Sequence, residues 1–189
     1  MSKSDDAEGR RALLLIDFQV DFLSDEGRMP VDRAQVLPVL AATRAAIDEA
    51  QSRKELIIKI GNEFPRRSVA MNFLRRYAAL AGSPGAQWDQ RIDVPDAPYL
   101  PKWKGDAFCN PELDAMLVDH RITVVALAGL KANACITATA KAALSKGYRV
   151  ELLTKAIACG SEQSRSRALA RLERAGAELS YVGSSVRYG

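Results

Sequence analysis

A chain of 189 residues, 48% hydrophobic and 26% charged, is long enough for one domain with a sizeable core and has the balance of an ordinary globular protein. Its net charge of +4 is mild and spread out, with no basic block interleaved with aromatics, which argues against a nucleic-acid partner. No apolar run reaches membrane-spanning length, so no membrane partner is expected, and residues 1–10 form a short polar tail without the apolar centre of a signal peptide.

Strand and helix patterns alternate from there on. Arg11–Asp17 is a continuous apolar strand ending in an acid. Asp32 to Ala50 has helical periodicity, with Leu37, Leu40 and Ile47 on one side. Leu56–Gly61 is the second strand, and Arg67 to Leu80 predicts a helix with Val69, Phe73 and Tyr77 near one face. Ala81 to Pro98 is rich in Gly, Pro and Asp and predicts a long loop. Tyr99–Trp103 is a short strand, Pro111 to His120 a helix, and Ile122–Ala128 the strongest strand. Cys135 to Gly147 is an Ala-rich helix, Tyr148–Leu153 a strand, Ser161 to Ala175 a helix closed by Gly176, and Glu178–Val182 the last strand. Continuous Val/Ile/Leu runs mean strands buried on both faces. The expected fold is therefore α/β: a three-layer, doubly wound, Rossmann-like and mostly parallel six-stranded sheet with helices on both faces, in a single domain.

The cysteine and histidine counts narrow the chemistry. Cys109, Cys135 and Cys159 are three in number, without CxxC spacing. Disulfide frameworks and zinc knuckles are thus poorly supported, and a reducing cytoplasm is the expected compartment. The single histidine, His120, closes a predicted helix at the end of the sheet opposite to where ligands bind, so it fits a helix cap better than a catalytic base. No GxGxxG or Walker loop follows any strand, which removes the usual nucleotide sites.

In open α/β sheets ligands bind beyond the carboxyl ends of the strands. Three polar features stand there. Asp17 follows Leu13–Leu14–Leu15–Ile16 at the rim of the core, where partial desolvation raises a carboxyl pKa towards proton-transfer range. Asp21, further along, competes for the same role. Lys102 and Lys104 flank Trp103, and strand alternation puts both lysines on one face. Cys135 follows the strongest strand after a glycine-containing turn and opens a helix, where the helix dipole favours thiolate and free N–H groups suit an oxyanion. A free cysteine is otherwise simply a small buried hydrophobe.

Taken together, ALLLIDFQVDFL, KWKGDAFCNPELDAML and VVALAGLKANACITATAKAALSKGYRVELLTKA resemble the isochorismatase-like cysteine hydrolase superfamily, from Ala12 to about Val182. This superfamily includes isochorismatases, nicotinamidases and N-carbamoylsarcosine amidohydrolases. The resemblance implies a triad of Asp17, Lys102 and Cys135, with Lys102 chosen over Lys104 by its spacing to Ala107–Phe108. It implies a cis peptide at Leu130–Lys131 that aims the N–H groups of Lys131 and Cys135 at one point as an oxyanion hole. A lysine at position 131 departs from the family's usual small or hydroxyl residue. Nicotinamidases carry an Asp/His metal site after the second strand; here Gly61–Asn62–Glu63–Phe64–Pro65–Arg66–Arg67 has no histidine, so no metal and no cofactor are expected. Glu63, Arg66 and Arg67 are candidate contacts for a polar substrate, and Phe22, Phe64, Trp103 and Phe108 for the rest of it. Trp88 and Trp103 fit either pocket walls or interface anchors.

The implied activity is hydrolysis of a C–N bond in a small amide, ureido or carbamoyl compound through a cysteine thioester. An acid-catalysed vinyl ether hydrolase using Asp17 is the alternative within the superfamily. A catalytically reduced oligomeric scaffold or small-ligand binder is the alternative outside it. A homo-oligomer, dimer or tetramer, is the expected assembly.

Overall fold

Six strands, all parallel, run in the order β3-β2-β1-β4-β5-β6 in the computed structural model, which describes residues 9–180. They are β1 (Arg10–Ile16), β2 (Leu56–Asn62), β3 (Tyr99–Lys102), β4 (Ile122–Leu130), β5 (Arg149–Ala158) and β6 (Glu178–Ser180). The helices are α1 (Val20–Leu23), α2 (Arg33–Ser52), α3 (Val69–Leu74), α4 (Pro111–Asp119), α5 (Thr137–Ser145) and α6 (Glu162–Arg174). The doubly wound α/β architecture expected from the apolar runs is the one observed.

β1 shows why both faces are covered. Ala12, Leu14 and Ile16 pack with Leu113 and Leu117 of α4, Ala140 and Ala143 of α5, and Leu169 and Leu172 of α6. Leu13 and Leu15 face the other way, onto Val36, Val39, Leu40 and Ile47 of α2. Each fully buried aliphatic side chain contributes about 1.5–3 kcal/mol, so a strand apolar at every position is held from two sides. Helix starts are capped as their sequences suggest: Asp32 accepts from the N–H of Ala34, Asn110 from that of Glu112, and Ser161 from that of Ser164.

Several boundaries differ. Arg10, placed in the polar tail, begins β1, and the remaining tail residues before Gly9 lie outside the described residues, as do Tyr181 and Val182 of the last strand. β5 runs five residues beyond Leu153, its pairing with β4 shifting register between Leu127 and Gly129. Leu37 is not on the buried side of α2 but is 75% exposed; the core face runs through Val36, Val39, Leu40, Thr43 and Ile47.

The largest departure is the predicted helix Arg67–Leu80. Only Val69–Leu74 is helical, and Val69, Phe73 and Tyr77 are exposed, with Phe73 at 70%. Non-local hydrogen bonds claim the rest of the segment. Phe64 donates to the carbonyl of Ala79, Ala81 donates to that of Phe64, and Ala79 N–H donates to the Asp21 carboxylate at 2.8 Å. Arg76, Tyr77 and Ala79 turn through positive φ to meet them, which ends any helix.

Candidate active site

β1, β2 and β3 are neighbours, and β4 adjoins β1, so their carboxyl ends form one rim. β1 and β4 approach each other closely there. Gly129 has φ +139°, and a Cβ on it would overlap the carbonyl oxygen of Ile16. Only glycine fits that contact and that backbone angle. Asp17 leaves β1 through φ +59°, a region short polar residues tolerate better than others, and its N–H donates to Ile60 O at 2.8 Å. After β4 the Leu130–Lys131 peptide is cis, and Ala132–Ile136 forms a π-helical turn ahead of α5. Cys135 therefore sits within this wide turn rather than at the first residue of a regular helix.

These segments bring Asp17, Lys102 and Cys135 into one buried cluster. Lys102, the last residue of β3, has no solvent exposure. Its Nζ donates to Asp17 Oδ2 at 3.0 Å, to Asn62 Oδ1 at 2.6 Å and to Cys135 Sγ at 3.2 Å, with the Lys104 carbonyl oxygen at 3.3 Å. Lys104 does not share its face: β3 ends at Lys102, alternation stops there, and the Lys104 side chain is exposed. Asp17 Oδ2 also accepts from Asn62 Nδ2 at 2.8 Å. Asp17 Oδ1 is buried without a hydrogen-bond partner among the described residues. Cys135 is 9% exposed, the least enclosed of the three.

Burial governs the protonation of this cluster. It pushes the Asp17 carboxyl above its ordinary value, against the Lys102 charge and the hydrogen bonds it accepts. Burial also works against the Lys102 ammonium, yet Asp17 and Cys135 outweigh it and hold that group above its ordinary value. For Cys135, burial and then the Asp17 charge push the thiol up to about 12, against the pull of Lys102. The lowering expected from a helix start is thereby corrected: burial and the Asp17 charge hold the thiol above its ordinary value, which favours attack coupled to loss of the thiol proton over attack by a standing thiolate.

Two residues of this cluster were not singled out by the sequence. Asn62, at the end of β2, touches all three reactive side chains, its Nδ2 reaching Cys135 Sγ at 3.6 Å. Gln19 holds Asn62 in turn: the Asn62 N–H donates to Gln19 Oε1 at 2.9 Å, and Gln19 Nε2 donates to the Asn62 carbonyl at 2.9 Å and to the Ala86 carbonyl at 2.6 Å. The available signal was positional, since Gln19 follows Asp17 by two residues beyond β1 and Asn62 ends the neighbouring strand β2.

The other candidates fall elsewhere. Phe22 and Phe64 are buried among the side chains on the α2 side, and Arg75 lies over the Phe64 ring at 3.9 Å. Phe108 stacks on Tyr148 with centroids 6.0 Å apart, and Trp103 is exposed. Asp21 is structural, accepting from Arg28 and Ala79 N–H. Glu63 accepts from the Tyr99 hydroxyl at 3.2 Å, Arg66 donates to the Ala81 carbonyl, and Arg67 is exposed. Lys131 is half-buried, its ammonium pushed down by burial, with Nζ 3.4 Å from Pro30 O. A cleft of about 370 Å³ is lined by Glu63, Ser83, Gln87, Trp88 and Tyr99, and none of the three reactive side chains lines it. His120 bonds Met116 O at the C-terminus of α4, just before β4 begins. No group of three or more His, Cys, Asp or Glu among the described residues is placed to hold a metal, and the donors after β2 do not fit a zinc site. No described helix is long and apolar enough to cross a membrane.

The model of the isochorismatase domain family matches residues 11–182. A streptothricin hydrolase of Streptomyces noursei is 28% identical over 153 residues, 75% of this chain and 52% of that protein. The chain thus spans about half the length of the curated relatives it matches. Among solved structures, an isochorismatase-like hydrolase from Alkaliphilus metalliredigens superposes with a TM-score of 0.84 at 20% identity, covering 92% of this chain and 95% of that one. A pyrazinamidase of Pyrococcus horikoshii, in complex with zinc, superposes with a TM-score of 0.81 at 22% identity, covering 91% and 99%.

Proposed function

Because the chain belongs to the isochorismatase domain family, we propose that it is a cysteine hydrolase cleaving a C–N bond of a small amide, ureido or carbamoyl compound. The observation that supports this most is the buried contact of Lys102 Nζ with both Asp17 Oδ2 and Cys135 Sγ, at 3.0 and 3.2 Å. A nucleophile, a base and a cation are then within one proton transfer of each other. The names of the similar streptothricin hydrolase and pyrazinamidase support hydrolysis as the reaction class.

In this mechanism Asp17, as carboxylate, takes the thiol proton on Oδ1 as Cys135 Sγ attacks the carbonyl carbon. The tetrahedral oxyanion rests on the N–H groups of Lys131 and Cys135, each such donor contributing roughly 10²–10³ in rate. Lys102 keeps the negative charge tolerable wherever it resides, on carboxylate or sulfur. The C–N bond breaks as Asp17 returns the proton to the leaving nitrogen, and a thioester remains. Water then attacks the thioester, Asp17 accepts its proton, and the C–S bond breaks as the thiol is restored. The raised carboxyl of Asp17 supports the role, because a carboxylate with a raised pKa is the stronger base and takes the thiol proton more readily.

That same raised carboxyl favours a second reading, acid-catalysed vinyl ether cleavage by Asp17 without the thiol. Cys135→Ala separates the two. Under the proposed reading it lowers ammonia release from small amides, ureas or carbamoyl compounds by roughly 10⁴–10⁶-fold, and wild-type enzyme carries an acyl mass adduct on Cys135. Full activity in Cys135→Ala would sink nucleophilic catalysis, and pyruvate release from isochorismate would install the ether reading. The three free cysteines support a reducing, cytoplasmic setting. The exposed apolar side chains of α3 support a homo-oligomer, and light scattering showing a monomer at micromolar concentration would remove that expectation.

A further inference from the structure

We infer that Asn62 is a positioning residue that steers the cysteine proton to one oxygen of Asp17 and lowers the cost of negative charge on both. The inference rests on the proposed cysteine chemistry and adds a fourth side chain to it. Its orientation is determined by its neighbours. The Lys102 ammonium only donates, so the amide oxygen of Asn62 must face it, at 2.6 Å. The amide nitrogen then necessarily faces Asp17 Oδ2 at 2.8 Å and Cys135 Sγ at 3.6 Å, donating to both. Oδ2 is consequently occupied twice, by Asn62 and by Lys102, whereas Oδ1 is left as the buried oxygen free to accept. Oδ1 is thus the oxygen of that carboxylate to which we assign the Cys135 proton.

Gln19 makes this orientation rigid. Two reciprocal hydrogen bonds grip the backbone N–H and C=O of Asn62, and a third ties the same Gln19 amide to Ala86. Asn62 and Gln19 are both buried, 2% and 0% exposed, so water does not replace these bonds. A buried amide donating to two acidic groups favours the charged form of each, and the effect is strongest where the dielectric is low.

The test needs no substrate, so it stands or falls apart from the hydrolase reading. Cys135 is alkylated with iodoacetamide across pH 6–10, and the modified site is counted by mass spectrometry in wild type, Asn62→Ala and Asn62→Asp. Asn62→Ala is expected to alkylate Cys135 about tenfold more slowly than wild type at pH 8, the equivalent of one hydrogen bond to a charged group. Asn62→Asp keeps the shape and the acceptor for Lys102 but exchanges the donor for a second carboxylate, so it is expected to be slower still. A packing role predicts the opposite order, with the isosteric Asp variant nearest wild type. Unfolding or loosening exposes buried thiols and accelerates alkylation, at Cys159 as well, so a misfolded variant shows the wrong sign rather than a false success. Equal Cys135 rates in wild type and Asn62→Asp, or faster alkylation in either variant, overturns the inference. If the alkylation order holds while no amide is turned over, the positioning role survives and the proposed reaction does not.

Discussion

Lys102→Met removes the charge at the centre of the cluster while keeping a side chain of similar length. The Lys102–Asp17 pair is separated by 3.0 Å and has essentially no solvent contact. At an effective dielectric of about 20 such a pair attracts by about 5.5 kcal/mol. Removing one partner of a buried pair typically costs about 3–5 kcal/mol, because the remaining charge is stranded. The two magnitudes agree, so a loss of about 3–5 kcal/mol near pH 8 is expected. Asp17 escapes part of it by folding as the neutral acid. Its folded pKa lies above the ordinary 3.8 even with Lys102 present and rises further without it. Between the unfolded and folded values the native state holds more protons than the unfolded state, so stability falls as pH rises across that window. The slope approaches about 1.4 kcal/mol per pH unit for one proton, so the variant recovers stability towards pH 5 relative to wild type. Urea unfolding followed by far-ultraviolet circular dichroism at pH 5, 6.5 and 8 measures this directly. Asp17→Asn/Lys102→Met should recover much of the loss at pH 8. A deficit below about 1 kcal/mol, or one that is the same at pH 5 and pH 8, would refute the charge-pair reasoning.

In a steady-state assay kcat/KM should fall on the acid side as Asp17 takes a proton, with the limb above pH 3.8 because burial raises that carboxyl; a limb at or below 3.8 would remove Asp17 as the base. Gly129→Ala should cost several kcal/mol, since the new Cβ meets the Ile16 carbonyl at a backbone angle alanine avoids; a melting temperature within 2 °C of wild type would contradict the close approach of β1 and β4.

The sheet was legible because the central strands carry continuous apolar runs, Ala12–Ile16 in β1 and Val124–Ala128 in β4, and both faces of β1 are spent on helices. Asp17, Lys102, Lys104 and Cys135 were legible as candidates because a strand end is a short target, but the family resemblance, and not spacing alone, joined Asp17, Lys102 and Cys135 into one set. Gln19 and Asn62 were not, since an amide at a strand end has the same sequence signature whether it meets water or grips a neighbour. The Arg67–Leu80 segment misled for a different reason. Its 3.6-residue apolar spacing is genuine, yet backbone bonds to Phe64 and the Asp21 carboxylate outweigh it and turn that apolar face outwards. The thiol was misjudged because the sequence displays the helix start beside it and conceals the burial around it.

Gln19 bears on how a ligand arrives. By bonding Ala86 as well as Asn62, it fastens the segment around Ser83–Gln87 to the carboxyl end of β2 through buried hydrogen bonds. Swinging that segment open as a gate would break them together with the antiparallel bridge between Gln19 and Trp88. The opposite rim is more exposed, at Trp103, Lys104, Asn133 and Ala134, and is tied by the Ala107 N–H to the Thr139 hydroxyl at 3.1 Å and by Cys159 Sγ to Asn133 Oδ1 at 3.2 Å. A substrate therefore meets residues 83–88 as a fixed wall of the rim, and Gln19→Ala, which removes the buried bonds to Ala86 and Asn62, should speed hydrogen exchange around that segment.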